Sequence, residues 1–442
     1  MRATLMFWVQ IFNLTEVYIQ NVLHNNKKFE SIVAVTSISK VSLVGILATF
    51  AAIITPSPLF SALTSITGNK YYVILVFLAG ALMYKNIIKS NFVLFCAITI
   101  ICFQLLATIY WEELKLIILP FYFLSGLLLA TAMQPAEIKK YVQYSSNILL
   151  LLLIGGAIGF IYTYFFNGEP LLYINNEDTR LNGLYLTTFS NWYVRGVIRP
   201  AGIYDEPGAL SFIVCFIAAT RHFVDAPKKL TWTLLILGLL TLSLAHIIYT
   251  ILHLAEEFRT KGFHLKAVHW FILIIFIIVI SASPLYNVIN EFVFLRFKVV
   301  DGMLQGDNRS ALIINSYNYM SWPVFFFGLD ADCIVKPAIC ASKGYFQFGD
   351  NPLGALVLGG IFQFLPYYSV LIILFVMAIK KHSFIIFGAM LLLLQRIEVM
   401  SFGYSLLILI FMLLALKRKI YINWIESKKR SFVLSAASLT RL

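Results

Sequence analysis

Charge is scarce in this chain. Only 12% of its 442 residues are Asp, Glu, Lys or Arg, against 60% hydrophobic and 15% aromatic. With a mean hydropathy of +0.84, that balance excludes a soluble core wrapped in a solvated skin. Carboxylates are the scarcer charge, 21 against 34 lysines and arginines, for a net charge of +13. The basic residues fall in short clusters between apolar runs, which shows no nucleic-acid pattern and fits positive-inside topology signals. Five cysteines rule out a disulfide scaffold, and Cys96, Cys102 and Cys215 sit in apolar runs where a thiol is inert. Neither GxxxxGK with a following Ser or Thr nor GxGxxG occurs, so this chain draws no energy from nucleotide hydrolysis. An internal repeat is also missing, which argues against the inverted duplication common in secondary transporters. Nothing after the first 30 residues resembles a signal-peptidase site.

What the chain has is long apolar runs. Residues 41–57, 71–84, 92–110, 116–133 and 144–165 read as five successive spans, with Lys27, Lys28, Lys40, Lys85, Lys89, Lys139 and Lys140 on one face, taken as the cytoplasm. Residues 208–222 form a sixth span, 267–284 a ninth, and 352–379, 383–395 and 400–416 the last three. The expected fold is therefore an all-α polytopic membrane protein of about twelve transmembrane helices. Its parts are a cytoplasmic or interfacial segment 1–40, helices one to five over 41–165, a first external loop 166–207, helices six to nine over 208–284, a second external loop 285–350, helices ten to twelve over 351–416, and a basic cytoplasmic tail 417–442.

Residues 230–256 present a conflict of charge. The run is apolar enough for one helix, yet basic residues flank it on both sides, Lys228 and Lys229 before, Arg259, Lys261 and Lys266 after. One helix cannot begin and end on the same face. Two short helices turning back near Ser243, with His246 close to the turn, resolve the conflict.

The stretch Arg199–Leu210, RPAGIYDEPGAL, closes the first loop and runs into an apolar helix. Charge at such a boundary is costly unless something uses it. Arg195 and Arg199 in the first loop, Arg309 in the second and Arg396 in the last turn share one side of the membrane by this topology. Guanidinium forks suit phosphate oxygens, and Pro207 places a helix N-terminus, with its free N–H groups, toward the same ligand. A lipid-linked pyrophosphate fits such a set, with Glu206, beside Asp205, as the base toward a sugar hydroxyl. Asp205 or Glu206 also fits the place of a helix cap, which would hold it as an anion. The loop arginines also fit pairing with Asp178, Asp301 and Asp307 to fold the loops. Cys333 and Cys340 are either a disulfide or two thiols, and Tyr345-Phe346-Gln347-Phe348 reads as interfacial packing.

At these residues the chain resembles the bacterial O-antigen and capsular polysaccharide polymerases, the Wzy type of the polymerase and ligase superfamily. RPAGIYDEPGAL carries the likeness. So do Leu242-Ser243 at the break, Asp307-Asn308-Arg309-Ser310, Phe327-Gly328, and Asp350-Asn351-Pro352-Leu353 followed by Gly359-Gly360-Ile361, in order over roughly residues 140–415. The resemblance implies a glycosyltransferase-C-like inner-membrane enzyme whose two long loops are periplasmic. It would transfer a glycan from undecaprenyl pyrophosphate to the terminal sugar of another lipid-linked repeat unit, without cofactor or metal. A chain-length regulator and a flippase of the same pathway are the implied partners, besides membrane lipid and the lipid-linked oligosaccharide. Carried onto this chain, Arg199 and Arg309 would hold pyrophosphate and steady the leaving group, with Glu206 as base. Arg195, Tyr204, Asp205, Ser243, Asn351 and Arg396 would line the substrate site. Related ligases have His-Asn where this chain has Asp350-Asn351, and neither long loop contains histidine, which favours a polymerase over an O-antigen ligase. A lipid-linked oligosaccharide flippase is the third reading. Ser243-Leu244 stands where the family often has Ser-Arg, so one phosphate contact is missing.

Overall fold

The computed structural model describes residues 38–57, 91–113, 116, 118–175, 181–194, 196–261, 286, 290, 299–300, 303–304, 308–335, 348, 351–396 and 401–416. In chain order the helices are α1 Ile38–Thr49, continued by a π turn Phe50–Ile54, α2 Asn91–Trp111, α3 Ile118–Ala132, α4 Pro135–Phe166, α5 Pro207–Phe223, α6 Lys228–Gly238 and α7 Leu244–Lys261. After them come α8 Asn308–Asn318, α9 Trp322–Phe327, α10 Ala331–Val335, α11 Pro352–Gln363, α12 Leu365–Lys381 and α13 Phe384–Gln395, then α14 Phe402–Leu416.

Helices occupy the apolar runs that fall in the described residues, but their lengths correct the expected fold. Among the described residues one helix, α4, is long and apolar enough to cross a membrane. A second candidate exists only if α11 and α12, bent by 110° at their junction, are taken as one span. The apolar helices α5, α13 and α14 fall short of 18 residues, below the roughly 20 that a bilayer core requires. The expectation of about twelve spanning helices is therefore overturned. Hydropathy registers how apolar a run is, not where its helix stops. The expected return helix 352–379 shows the point: Gly360 has φ +67 inside it, and Phe364 separates α11 from α12. Spans at 71–84 and 267–284 lie outside the described residues.

The chain is also not all-α. Within the first loop β1 Leu172–Asn175, β2 Leu181–Tyr185 and β3 Thr188–Ser190 form an antiparallel sheet in that order, with Leu172 opposite Leu184 and Leu184 opposite Phe189. Two-residue ribbons follow, β4 Tyr193–Val194 with β5 Val197–Ile198, and in the second loop β6 Val299–Val300 with β7 Met303–Leu304. Hydropathy does not announce these strands, because their alternation is only a few residues long.

Local chemistry explains the helix limits. α4 starts nine residues before the expected 144 because Pro135 suits a first helical turn and Gln134 and Glu137 cap each other, the Gln134 N–H donating to Glu137 at 2.7 Å. It stops at Asn167 in the left-handed region, φ +49. α5 is the centre of the fold. Nearly all of its residues are buried, and it packs against α4, α6, α7 and α13. At its far end the buried Arg221 donates to Thr231 at 2.9 Å, to Ser146 at 2.8 Å and to the Pro227 carbonyl at 2.8 Å, tying α5 to α4 and α6.

The proposed turning-back near Ser243 is present. α6 ends in a 3-10 turn, Leu239–Thr241, Leu242 takes φ +49, and α7 runs back along α6. Contacts mark the antiparallel register: Lys228 pairs with Glu257, the Trp232 and His253 rings meet at 5.5 Å, and His246 lies 2.8 Å from the Leu235 carbonyl. His246 is buried and also faces the Cys215 thiol at 3.3 Å, so it packs the turn as an interior side chain.

Candidate functional site

The RPAGIYDEP segment is held in place from both flanks. Phe189 donates to the Gly202 carbonyl at 2.7 Å and Ala201 to that of Phe189 at 2.8 Å, so the segment extends the sheet beyond β3. Gly202, at φ +66, makes the turn that follows. From the other side Ser57 donates to the Ile203 carbonyl at 2.8 Å, and the fully buried Tyr204 donates to the Ile53 carbonyl at 2.9 Å. Burial, and then the neighbouring Tyr141, push the Tyr204 hydroxyl well above its ordinary range, so it remains a protonated donor. Tyr204 is an anchor in the core rather than a substrate-facing group.

So anchored, the chain delivers Glu206 to the N-terminus of α5. Glu206 stands at the N-cap position with extended backbone, φ −151 and ψ 158, and Pro207 opens the helix. Its carboxylate makes no capping hydrogen bond. It pairs instead with Arg396, 190 residues later. Arg396 ends α13, so a carboxylate at a positive helix end meets a guanidinium at a negative one, an arrangement both macrodipoles favour. Arg396 also donates to the Tyr404 hydroxyl at 3.3 Å and lies 5.9 Å from that ring's centroid. Its side chain is 7% exposed, that of Glu206 28%, so the pair faces solvent on the carboxylate's side.

Beside this pair lies a cavity of about 30 Å³ bordered by Glu206, Gly208, Ser211, Ala245, Gln395 and Arg396. That volume suits about one water. Among the described residues the buried Ser211 hydroxyl has no hydrogen-bond partner other than the Cys215 thiol one turn on. Three stretches far apart in sequence therefore meet here: the end of the first loop, the start of α7 through Ala245, and the end of α13.

Arg199 is used differently from expectation. Its guanidinium donates to the Thr241 carbonyl at 2.9 Å and the Leu242 carbonyl at 3.3 Å, and lies 5.9 Å from the Trp192 ring centroid. It closes the carbonyl ends of the 3-10 turn, a C-cap supplied from another element. The buried Ser243 is the next residue along, so two expected site residues do meet at one turn. Arg199→Ala is expected to lower stability by about 2 kcal/mol, because one buried and one part-buried carbonyl lose a charged donor. A reduced thermal midpoint of the purified protein would show it, and Arg199→Lys would recover little, since an ammonium cannot reproduce the fork.

The remaining expected residues divide. Asp205 is half-buried next to Glu206. Asn351 is a helix cap for α11, its Oδ1 accepting from Gly354 N–H at 2.8 Å while its amide donates to the Phe348 carbonyl at 2.5 Å. The Arg195 and Arg309 side chains lie outside the described residues. Sequence reasoning missed Ser211, Gln395 and Tyr404. Ser211 sits one turn beyond Pro207 and was legible as the next residue on that helix face, whereas Tyr404 carries no local signal.

The chain matches no family model, no curated protein and no solved structure in the comparisons made.

Proposed function

We propose that this protein is a membrane polysaccharide polymerase that transfers a glycan from undecaprenyl pyrophosphate to the terminal sugar of another lipid-linked repeat unit at the periplasmic face of a bacterial inner membrane. The observation that carries the proposal is the pairing of Glu206 with Arg396 at the mouth of α5. A diphosphate approaching the α5 N-terminus would compete for Arg396 and release Glu206. The freed carboxylate would take a proton from the attacking sugar hydroxyl as the anomeric carbon leaves the pyrophosphate oxygen, while Arg396 and the backbone N–H groups of α5 steady the departing charge. Arg195 and Arg309 would add donors from the loops. Arg199 would act by fixing the neighbouring turn.

Membrane placement is part of the same reading. α4 has an 18-residue stretch of mean hydropathy 2.2, only 28% of it buried within the protein, and Leu151, Phe165 and Phe166 project outward along it. Apolar surface of that kind is covered by lipid at little cost.

The test is the length distribution of surface polysaccharide in a deletion strain complemented with wild type, Glu206→Ala, Arg396→Ala or Arg309→Ala, with membrane levels matched. Collapse of long polymer to a single repeat unit joined to its final acceptor is the expected result. Long polymer persisting on undecaprenyl pyrophosphate would identify a ligase instead. Repeat units trapped on the cytoplasmic side would identify a flippase.

A further inference from the structure

A second cluster of chemistry lies at the other end of α5. His222 closes that helix, and His253 and Glu257 stand one turn apart on α7, so i,i+4 spacing puts an imidazole and a carboxylate on one face. One donor atom from each of the three residues lies within 4.8 Å of the others. His222 Nδ1 is 3.9 Å from Glu257 Oε1, and the two imidazole rings meet edge to face at 6.0 Å. The group borders a cavity of about 290 Å³ with Asp225, Thr231 and Thr260, far larger than the space beside Glu206.

We propose that His222, His253 and Glu257 bind a divalent transition-metal ion of the zinc class. Two imidazoles and a carboxylate from two helices form a borderline-soft set that suits zinc and leaves a fourth position for water. Tetrahedral donors stand about 3.3 Å apart, so the site closes by rotation of side chains that already face one another. His253 is oriented for this by its neighbours. Its Nδ1 lies 3.4 Å from the Tyr249 hydroxyl and its ring packs edge-on to Trp232, which leaves Nε2 for the ion, as outer-shell partners do in metal sites. Lys228 is the cation now paired with Glu257. Its side chain is 42% exposed, so it can leave for solvent when a metal arrives. Ion binding would clamp the end of α5 to the α6–α7 hairpin, about 24 Å from Glu206 at 1.5 Å per helical residue. It stands apart from the transfer chemistry.

Cobalt(II) titration of the full-length purified protein tests this, with the visible absorption spectrum as readout. One equivalent should bind with the intense bands of a four-coordinate ion and be displaced by zinc, raising the thermal midpoint. Glu257→Gln and His222→Asn should each weaken binding about a hundredfold, and Tyr249→Phe about tenfold. Lys228→Met keeps every ligand and removes the competing cation, so it should tighten binding several-fold. Absence of a saturable one-equivalent spectrum in the wild-type protein overturns the proposal. So does a spectrum unchanged in folded Glu257→Gln and His222→Asn proteins.

Discussion

Arg396→Ala is expected to lower stability by about 2 to 3 kcal/mol and to abolish long polymer. The stability loss follows from Glu206, which would keep its charge at the α5 N-terminus without the guanidinium that now faces it. Breaking a fully buried pair costs more, but Glu206 is 28% exposed and can be rehydrated in part. Tyr404 would lose its donor as well. Arg396→Lys should recover some stability and little polymer, because an ammonium offers a point charge where the proposed diphosphate needs a fork. The double variant Glu206→Gln with Arg396→Met should lose less stability than the two single losses added together, since neither charge is then stranded. Thermal unfolding in detergent measures the first effect, and polysaccharide gels the second.

Gly360→Ala should be among the more damaging single methyl additions at the described glycines, with an expected loss of about 3 kcal/mol or more. Gly360 has φ +67, a conformation alanine resists, and a β-carbon there would enter the Phe326 carbonyl and the Phe327 nitrogen. The same crossing holds Gly328, at φ +87, against Leu358 and Gly359. Around it Leu329 donates to the Val357 carbonyl at 2.7 Å and Trp111 to that of Phe327 at 2.8 Å. The substitution would therefore part α9 from α11 and loosen the second loop from α2. Yield of folded protein and thermal midpoint would both fall, while Ala355→Gly in the same helix should cost about 1 kcal/mol.

This crossing shows how legibility depends on the kind of information. Phe327-Gly328 and Gly359-Gly360 stood out in sequence, but nothing there said that each was the other's partner. Steric fit between distant backbones leaves no periodic trace. The bend at Phe364 escaped for a related reason: the apolar run continues across it, and hydropathy cannot separate one helix from two. By contrast, the α6–α7 hairpin was readable, because basic residues flanking both ends of one apolar run force a return. Glu206 and Arg396 were each singled out in sequence, but the topology that put them on one side was overturned, and their direct pairing left no sequence signal. Arg199 misled because an arginine before a helix looks the same whether it awaits phosphate or caps carbonyls.

The most direct test of the central claim is Glu206→Gln. Glutamine keeps the size of the side chain and can still accept from Arg396, so the fold should be preserved, but it cannot take a proton from an acceptor hydroxyl. Expected are wild-type membrane levels, a thermal midpoint lowered less than in Arg396→Ala because the buried Arg396 loses its counter-charge but keeps an acceptor, and surface polysaccharide reduced to single repeat units. Long polymer at normal length from that variant would contradict it, and would leave the Glu206–Arg396 pair as a structural tie between α5 and α13.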